Sequence, residues 1–347
     1  MKLLDYIQKA IDSRASDLHL IAGSAPTLRI FSDLVKLSKD TINNDELEKD
    51  IKELVGEVNW QKFLSNKELD ISREILGQRF RVNLHFQENK IGFSARLIPP
   101  LVPNPEDLGF DEIIYNLTHL KDGLILVTGP SGSGKTTTLA AMLNIINKER
   151  RSHIVTIEDP IEYLFIEDQS IIEQREVGTD TKDFATALKY ALRQDPNIIM
   201  VGEMRDAETI QAALTAAETG HLVLSTLHTL TAPETIKRII SVFPSNEQDE
   251  IRYQLASSLR AVIDQQLILR KNKGLVAARE IMINNPAIAN LIRQNQIDQI
   301  YSAIQTGQKE GMITMNKAID KLLDQGIISE DVARNGKREF GTMASYY

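Results

Sequence analysis

One stretch of this chain combines the residue types needed to hold a polyphosphate. Gly129-Pro130-Ser131-Gly132-Ser133-Gly134-Lys135-Thr136 fits the spacing G-x-x-x-x-G-K-[ST]. Glycines let backbone N–H groups curl around phosphate oxygens with no Cβ in the way. A helix starting at the end of the loop adds the positive end of its dipole. Lys135 is expected to reach the β- and γ-phosphates of a nucleoside triphosphate, and the Thr136 hydroxyl to ligate Mg²⁺, with Thr137 beside it. The context agrees. The apolar run Leu124-to-Val127 precedes the loop, and Leu139, Met142, Leu143 and Ile146 fall on one face of a helix after it. A plain glycine-rich turn has no use for Lys-Thr at these places.

Hydrolysis needs more than a cradle. Two acidic groups follow predicted strands: Glu158-Asp159-Pro160-Ile161-Glu162 after Ile154-to-Ile157, and Gly202-Glu203 after Ile198-to-Val201. In open parallel sheets ligands sit beyond the carboxyl ends of the strands. One acid can hold Mg²⁺ through water and the other can orient the attacking water; spacing alone leaves open which of Glu162 and Glu203 does which. His221 and His228 bracket Leu222-to-Ser225. With no third ligand nearby and no cysteine, zinc is disfavoured, and the pair reads as phosphate sensors or as structural histidines. Arg79, Arg81 and Arg96 lie in the first hundred residues, two of them on one strand face at period-two spacing. An arginine brought up by domain closure, in cis or from a neighbour, would stabilise developing charge; surface arginine is the alternative.

The elements that must position these groups suggest two domains in 347 residues. Residues 1–98 mix helical stretches (Leu3-to-Ile11, Asp45-to-Val55) with alternating strands at Asp17-to-Ile21, Thr27-to-Ile30, Leu69-to-Ile75, Gln78-to-Phe86 and Gly92-to-Ile98. Pro99-Pro100-Leu101-Val102-Pro103-Asn104-Pro105 holds four prolines in seven residues. It can continue neither a helix nor a central strand, and it suits a stiff linker over 99–108. In residues 109–285 short apolar runs, Leu222-to-Leu224 among them, alternate with helices, the pattern of an α/β domain with a parallel sheet buried on both faces. Residues 286–347 read as mostly helical. The net charge of −8 disfavours a polyanion binder. No run approaches the 18 apolar residues of a membrane span, and the Met1-Lys2-Leu3-Leu4-Asp5 start is too polar for a signal peptide, so a cytoplasmic protein is expected.

Taken together, these motifs resemble the secretion and pilus ATPase superfamily, and within it the PilT-type retraction ATPases of type IV pili. The carrying stretches are Gly129–Ala140 (GPSGSGKTTTLA), Ile154–Tyr163 (IVTIEDPIEY), Ala191–Ile210 (ALRQDPNIIMVGEMRDAETI) and Gly220–His228 (GHLVLSTLH). ASDLHL at Ala15–Leu20, RFRVN at Arg79–Asn83, AIANLIR at Ala287–Arg293 and YSAIQTG at Tyr301–Gly307 extend the likeness over essentially the whole chain. The resemblance implies a PAS-like α+β N-terminal domain, a RecA-like P-loop ATPase core and a helical C-terminal region, assembled as a homohexameric ring. It implies ATP and Mg²⁺ held by Gly129, Pro130, Ser131, Gly132, Ser133, Gly134, Lys135, Thr136 and Thr137, with Arg79, Arg81 and Arg96 towards the nucleotide. It makes Glu162 the general base and Glu203 the Walker B acid at the metal, and puts His221 and His228 in the His box. The implied output is pilus retraction and twitching motility, in the cytoplasm at the inner face of the membrane. There the motor would act against an inner-membrane platform protein and bind membrane only through partners. One position departs from the family pattern: the retraction-associated motif usually reads AIRNLIR, and here its third residue is Ala289.

Three other readings compete. Extension and secretion ATPases of the superfamily usually carry extra N-terminal sequence and a four-cysteine zinc module, which this cysteine-free chain lacks. A RecA-like nucleic-acid motor conflicts with the acidic balance and the lack of an aromatic-basic stacking platform. The third is a nucleotide-binding switch that barely hydrolyses; a GTPase form of it would want Asn-Lys-x-Asp, whereas Asn316-Lys317-Ala318-Ile319-Asp320 places the acid one residue late.

Overall fold

The computed structural model describes residues 2–30, 33–98 and 102–338. It divides into two compact units, Met1–Leu101 with Pro160–Leu164, and Val102–Asp159 with Phe165–Tyr347. Pro99, Pro100 and Leu101 of the proline run lie outside the described residues. Its remainder leads into a turn in which Phe110 N–H donates to the Pro105 carbonyl at 3.0 Å.

The first unit is α+β. Helix α1 (Leu3–Asp12) buries Leu3, Ile7 and Ala10, one stripe at helical spacing. Strands β1 (Asp17–Ile21), β2 (Thr27–Ile30) and β3 (Asp33–Lys36) are followed by α2 (Asn44–Asn66), then β4 (Glu68–Ile75), β5 (Gln78–Gln87) and β6 (Lys90–Leu97). All pair antiparallel in the order β3-β2-β1-β6-β5-β4. Alternation decides the faces: Phe80, Val82 and Leu84 of β5 are buried, and the residues between them are half-buried. Helix α2 outruns its expected end at Val55 by continuing past a break at Gly56 (φ +79°), so that Trp60 and Phe63 also reach the core. There Phe63 stacks on Phe86 at 4.6 Å between ring centroids.

The second unit is α/β. Its elements are α3 (Glu112–Leu117), β7 (Gly123–Thr128), α4 (Lys135–Glu149), β8 (His153–Glu158), β9 (Ile171–Glu176), α5 (Phe184–Ala191), β10 (Ile198–Val201), α6 (Ala207–Glu218) and β11 (Leu222–Leu227). Then come α7 (Ala232–Ser241), α8 (Gln248–Ser258), β12 (Leu259–Leu269), β13 (Leu275–Ile283), α9 (Pro286–Arg293), α10 (Ile300–Thr306), α11 (Met315–Asp324) and α12 (Glu330–Gly336). The sheet order is β13-β12-β7-β11-β10-β8-β9. Six strands run parallel: β7, β8, β10 and β11, which the four apolar runs predicted, and β9 and β12, which they did not. The seventh corrects that expectation: β13 is antiparallel to β12, because only five residues separate the two strands and a parallel crossover needs a dozen or more. Every residue of β7, β10 and β11 is buried. Leu124 and Leu126 of β7 face one core cluster, and Ile125 and Val127 face the other together with Leu139, Met142, Leu143 and Ile146 of α4. Asp183 and Asp206 accept hydrogen bonds from the starts of α5 and α6, fixing where those helices begin. Among the described residues no helix is long and apolar enough to cross a membrane.

Candidate active site

The carboxyl ends of the parallel strands gather the chemistry. The loop after β7 turns on glycines that a side chain would disrupt: at Gly129 (φ +135°) an added Cβ would stand 2.2 Å from the Gln265 carbonyl oxygen. Helix α4 starts at Gly134 (φ +82°) with no side-chain cap, unlike α5 and α6. No hydroxyl or carboxylate of a capping residue covers its first N–H groups. Lys135 is the first helical residue and is 8% exposed. Its ammonium donates to the carbonyls of Gly129 at 2.9 Å and Pro130 at 3.0 Å, which places the charge at the start of its own loop. Thr136 and Thr137 follow, both half-buried.

Two neighbouring strands bring partners. After β10, Gly202 N–H donates to the Ile157 carbonyl at 2.8 Å, and the Gly202 carbonyl accepts from Thr226 Oγ1 at 2.6 Å. This pins the turn that carries Glu203. His228 comes directly after β11. Its Nδ1 lies 3.4 Å from Lys135 Nζ and its Nε2 lies 3.6 Å from Glu203 Oε2. Desolvation, seconded by the Lys135 charge, lowers the His228 pKa below the ordinary histidine value. A neutral ring next to an ammonium accepts at Nδ1 and therefore carries its proton on Nε2, facing the Glu203 carboxylate. Arg205 Nε closes the line with a 2.7 Å contact to Glu203 Oε1. Glu203, Arg205, Thr226, His228, Glu234 and Arg238 line a cavity of about 480 Å³.

Lys135, Glu203 and His228 thus come together, as the spacing required. His221 does not. It sits at the opposite, amino end of β11, where its carbonyl accepts from Gly123 N–H at 3.0 Å. Its ring Nδ1 lies 3.0 Å from the Ala216 carbonyl and 3.2 Å from Thr219 Oγ1, closing the end of α6. That corrects the expectation of a second phosphate sensor in this unit: a parallel sheet has one catalytic edge, and His221 is at the other.

Glu162 is half-buried between buried Ile161 and Tyr163, within the short segment that groups with the first unit. Arg79 and Arg81 share one face of β5, and Arg96 of β6 is the cross-strand partner of Arg81. Arg79 donates to Ser72 Oγ at 2.8 Å, Arg81 pairs with Asp70 at 3.0 Å and Arg96 with Asp17 at 2.8 Å.

Sequence reasoning missed several residues. Arg205 was visible two positions after Glu203. Glu158, named in the sequence only as part of the acidic cluster and given no role of its own, is buried at the end of β8, accepting from Thr156 Oγ1 at 2.7 Å and Gln174 Nε2 at 3.1 Å. Asp264 and Gln265 lie buried in β12, and Arg279 and Glu280 in β13. Their signal is a polar interruption of an apolar run: Asp264-Gln265-Gln266 in β12 and Arg279-Glu280 in β13.

The family described as type II/IV secretion system protein matches residues 110–332. The type IV pilus retraction ATPase PilT of Pseudomonas aeruginosa is 45% identical over 96% of this chain and 97% of its own length. A twitching motility protein of Neisseria gonorrhoeae is 43% identical over 93% of this chain and 87% of its own length. Among solved structures, that of the pilus retraction motor PilT with bound ADP aligns with a TM-score of 0.91 at 44% identity, over 98% of each chain.

Proposed function

The chain belongs to the type II/IV secretion system protein family, and from that membership we propose that it is an ATP-hydrolysing motor subunit that powers retraction of type IV pili, supporting twitching motility. The observation that carries the reading is the meeting of Lys135, His228 and Glu203 where β7, β11 and β10 end, in a chain nearly coextensive with relatives named for retraction and twitching.

The chemistry follows from the parts. The N–H groups of Ser131 to Thr137 and the Lys135 ammonium bind the β- and γ-phosphates of ATP, and this charge concentration is worth most in the transition state. The oxygen donors present, Thr136 and Glu203, suit Mg²⁺, which when bound supplies charge neutralisation across the phosphates. Glu162 is assigned as the base that takes the proton of the attacking water, and Glu203 acts at the metal. His228, linking Lys135 to Glu203, reports the state of the phosphate end. Arg79, Arg81 and Arg96 contribute positive charge to a nucleotide site in the assembled ring. Six copies form that ring, the stretch 99–108 acts as a stiff connector, and the motor works from the cytoplasm on a platform protein of the inner membrane. The net charge of −8 supports a protein rather than a nucleic-acid track.

The test joins two assays. The purified chain should hydrolyse ATP as a hexamer by light scattering, and its expression should restore twitching to a retraction-deficient deletion strain. Turnover stimulated by DNA, without restored twitching, would replace this reading with the nucleic-acid motor.

A further inference from the structure

Two buried residues outside the phosphate-loop motif serve that loop. Gln265 of β12 is 2% exposed, and Arg279, directly opposite it on β13, is 7% exposed. A carboxamide buried in a strand must satisfy both of its ends. Gln265 Nε2 donates to the Ser133 carbonyl at 2.5 Å, and its Oε1 accepts from Thr138 Oγ1 and from Arg279 Nε, each at 2.8 Å. Its backbone carbonyl is the atom that allows only glycine at position 129. One residue therefore bounds the loop at its first position, at its fifth, and at the first turn of α4. Arg279 reaches the other way. Its Nη2 and Nη1 donate to the carbonyls of Leu108 at 2.9 Å and Gly109 at 3.2 Å, and its guanidinium lies 5.2 Å from the centre of the Phe110 ring.

The Ser133–Gly134 peptide gives this geometry a consequence. In a planar trans peptide the C=O and the following N–H point in opposite directions. Holding the Ser133 carbonyl towards Gln265 turns the Gly134 N–H away from it and so fixes the direction in which that group can donate to a phosphate oxygen. We propose that Gln265 is a positioning residue that sets this peptide, and that Arg279 ties Gln265 to Leu108–Phe110, so that movement of the opening segment of the second unit alters how the loop holds phosphate. The functional half rests on the nucleotide reading above; the positioning half rests on hydrogen-bond geometry alone.

The test uses the full-length protein. Gln265→Glu keeps the shape and both accepting contacts but has no N–H for the Ser133 carbonyl and sets a carboxylate oxygen against it. Hydrogen exchange of residues 129–138 without nucleotide should speed up about tenfold, and ADP binding should weaken about tenfold, as for one lost hydrogen bond. The melting transition should persist. Arg279→Lys should shift both readouts the same way by about threefold, since lysine retains charge but not the fork. Unchanged loop exchange in Gln265→Glu overturns the positioning role. A lowered melting temperature with unchanged loop exchange in Arg279→Lys overturns the tie and leaves Arg279 a local pin. If Gln265→Glu loses its melting transition, Thr138→Val, which deletes one contact only, repeats the test with the same expected direction. Faster exchange in a protein whose wild type neither binds ADP nor hydrolyses ATP upholds the positioning role and sinks the nucleotide reading instead.

Discussion

The two ends of β11 carry the same residue type and do different work. His228, after the carboxyl end, lies between Lys135 and Glu203. His221, before the amino end, closes α6 against Ala216 and Thr219. At about 3.3 Å per residue the strand separates them by roughly 20 Å. Both belong to one nine-residue motif, yet chain direction in a parallel sheet, not membership of the motif, sorts chemistry from architecture. At the carboxyl edge Lys135, Glu203 and His228 meet in one cluster, whereas the His221 contacts at the amino edge close a helix end.

The sharpest way to break that contrast is to disable the carboxyl edge. Lys135→Ala should lower ATP turnover at least a hundredfold, about 3 kcal/mol of transition-state stabilisation, with an unchanged circular dichroism spectrum. Near-normal turnover would remove the phosphate loop from the site. The two acids come next. Glu162→Gln cannot take a proton and should slow turnover by about a hundredfold while binding ATP and Mg²⁺ normally. Glu203→Gln should slow it comparably and also weaken the Mg²⁺ dependence of binding. A Mg²⁺ titration of nucleotide affinity that finds the opposite pattern exchanges their roles.

The histidines test the comparison itself. His228→Gln should reduce kcat about tenfold, the scale of one hydrogen bond in the site. Because the neutral ring is the form that accepts from Lys135, and its pKa is lowered, wild-type activity should fall only below the ordinary histidine range. That acid limb should vanish in the variant. His221→Gln should leave kcat within about twofold and lower stability by about 1 kcal/mol, read from urea unfolding. Exchanged outcomes would mean that the wrong edge has been identified.

The smallest effect on turnover is expected beneath the catalytic edge, at Asp264. It accepts from Thr128 Oγ1 at 3.2 Å and from Arg338 Nη2 at 2.7 Å. Burial nevertheless outweighs the Arg338 charge and raises its pKa from 3.8 to about 6. The folded state therefore holds a proton that the unfolded chain has released. This contribution to stability is complete below about pH 4 and disappears as pH rises through about 6, a loss on the order of 3 kcal/mol by pH 7, about 2 kcal/mol of it above pH 4.5. The stability difference between wild type and Asp264→Asn should change by the latter amount between pH 4.5 and 7. A pH-independent difference would mean that Asp264 titrates as an ordinary carboxyl.

What the sequence disclosed follows from the range of the forces involved. Ile198-to-Val201 was legible to the residue, and three other core strands nearly so, because strands buried on both faces must be apolar throughout. The phosphate loop was legible because its glycines and its Lys-Thr serve local geometry. β13 was not anticipated, because polar residues interrupt the apolar runs of both strands of its hairpin with β12; the roles of Gln265 and Arg279 were not anticipated because they reach partners more than a hundred residues away, at Ser133, Thr138 and Leu108. His221 misled for a different reason, since its ring partners Ala216 and Thr219 are near in sequence. Its role depends on which end of β11 meets β7, and pairing direction is a property of the sheet. Glu162 reads as part of a strand-end cluster, but it groups with the other unit.

The glycines of the phosphate loop also differ in how freely they can be replaced over generations. At Gly132 no protein atom lies within 4 Å of an added Cβ, so within the protein the objection is φ +78°. Asn or Asp tolerates that conformation, at a cost on the order of 1 kcal/mol. A lineage can pass through such a substitution and return. At Gly129 the obstacle is the backbone of β12 itself, and every alternative residue carries the same Cβ into it. No single replacement there is a small step, because it requires the neighbouring strand to move with it. Position 129 is therefore mutationally isolated, whereas position 132, three residues along the same motif, remains open to drift.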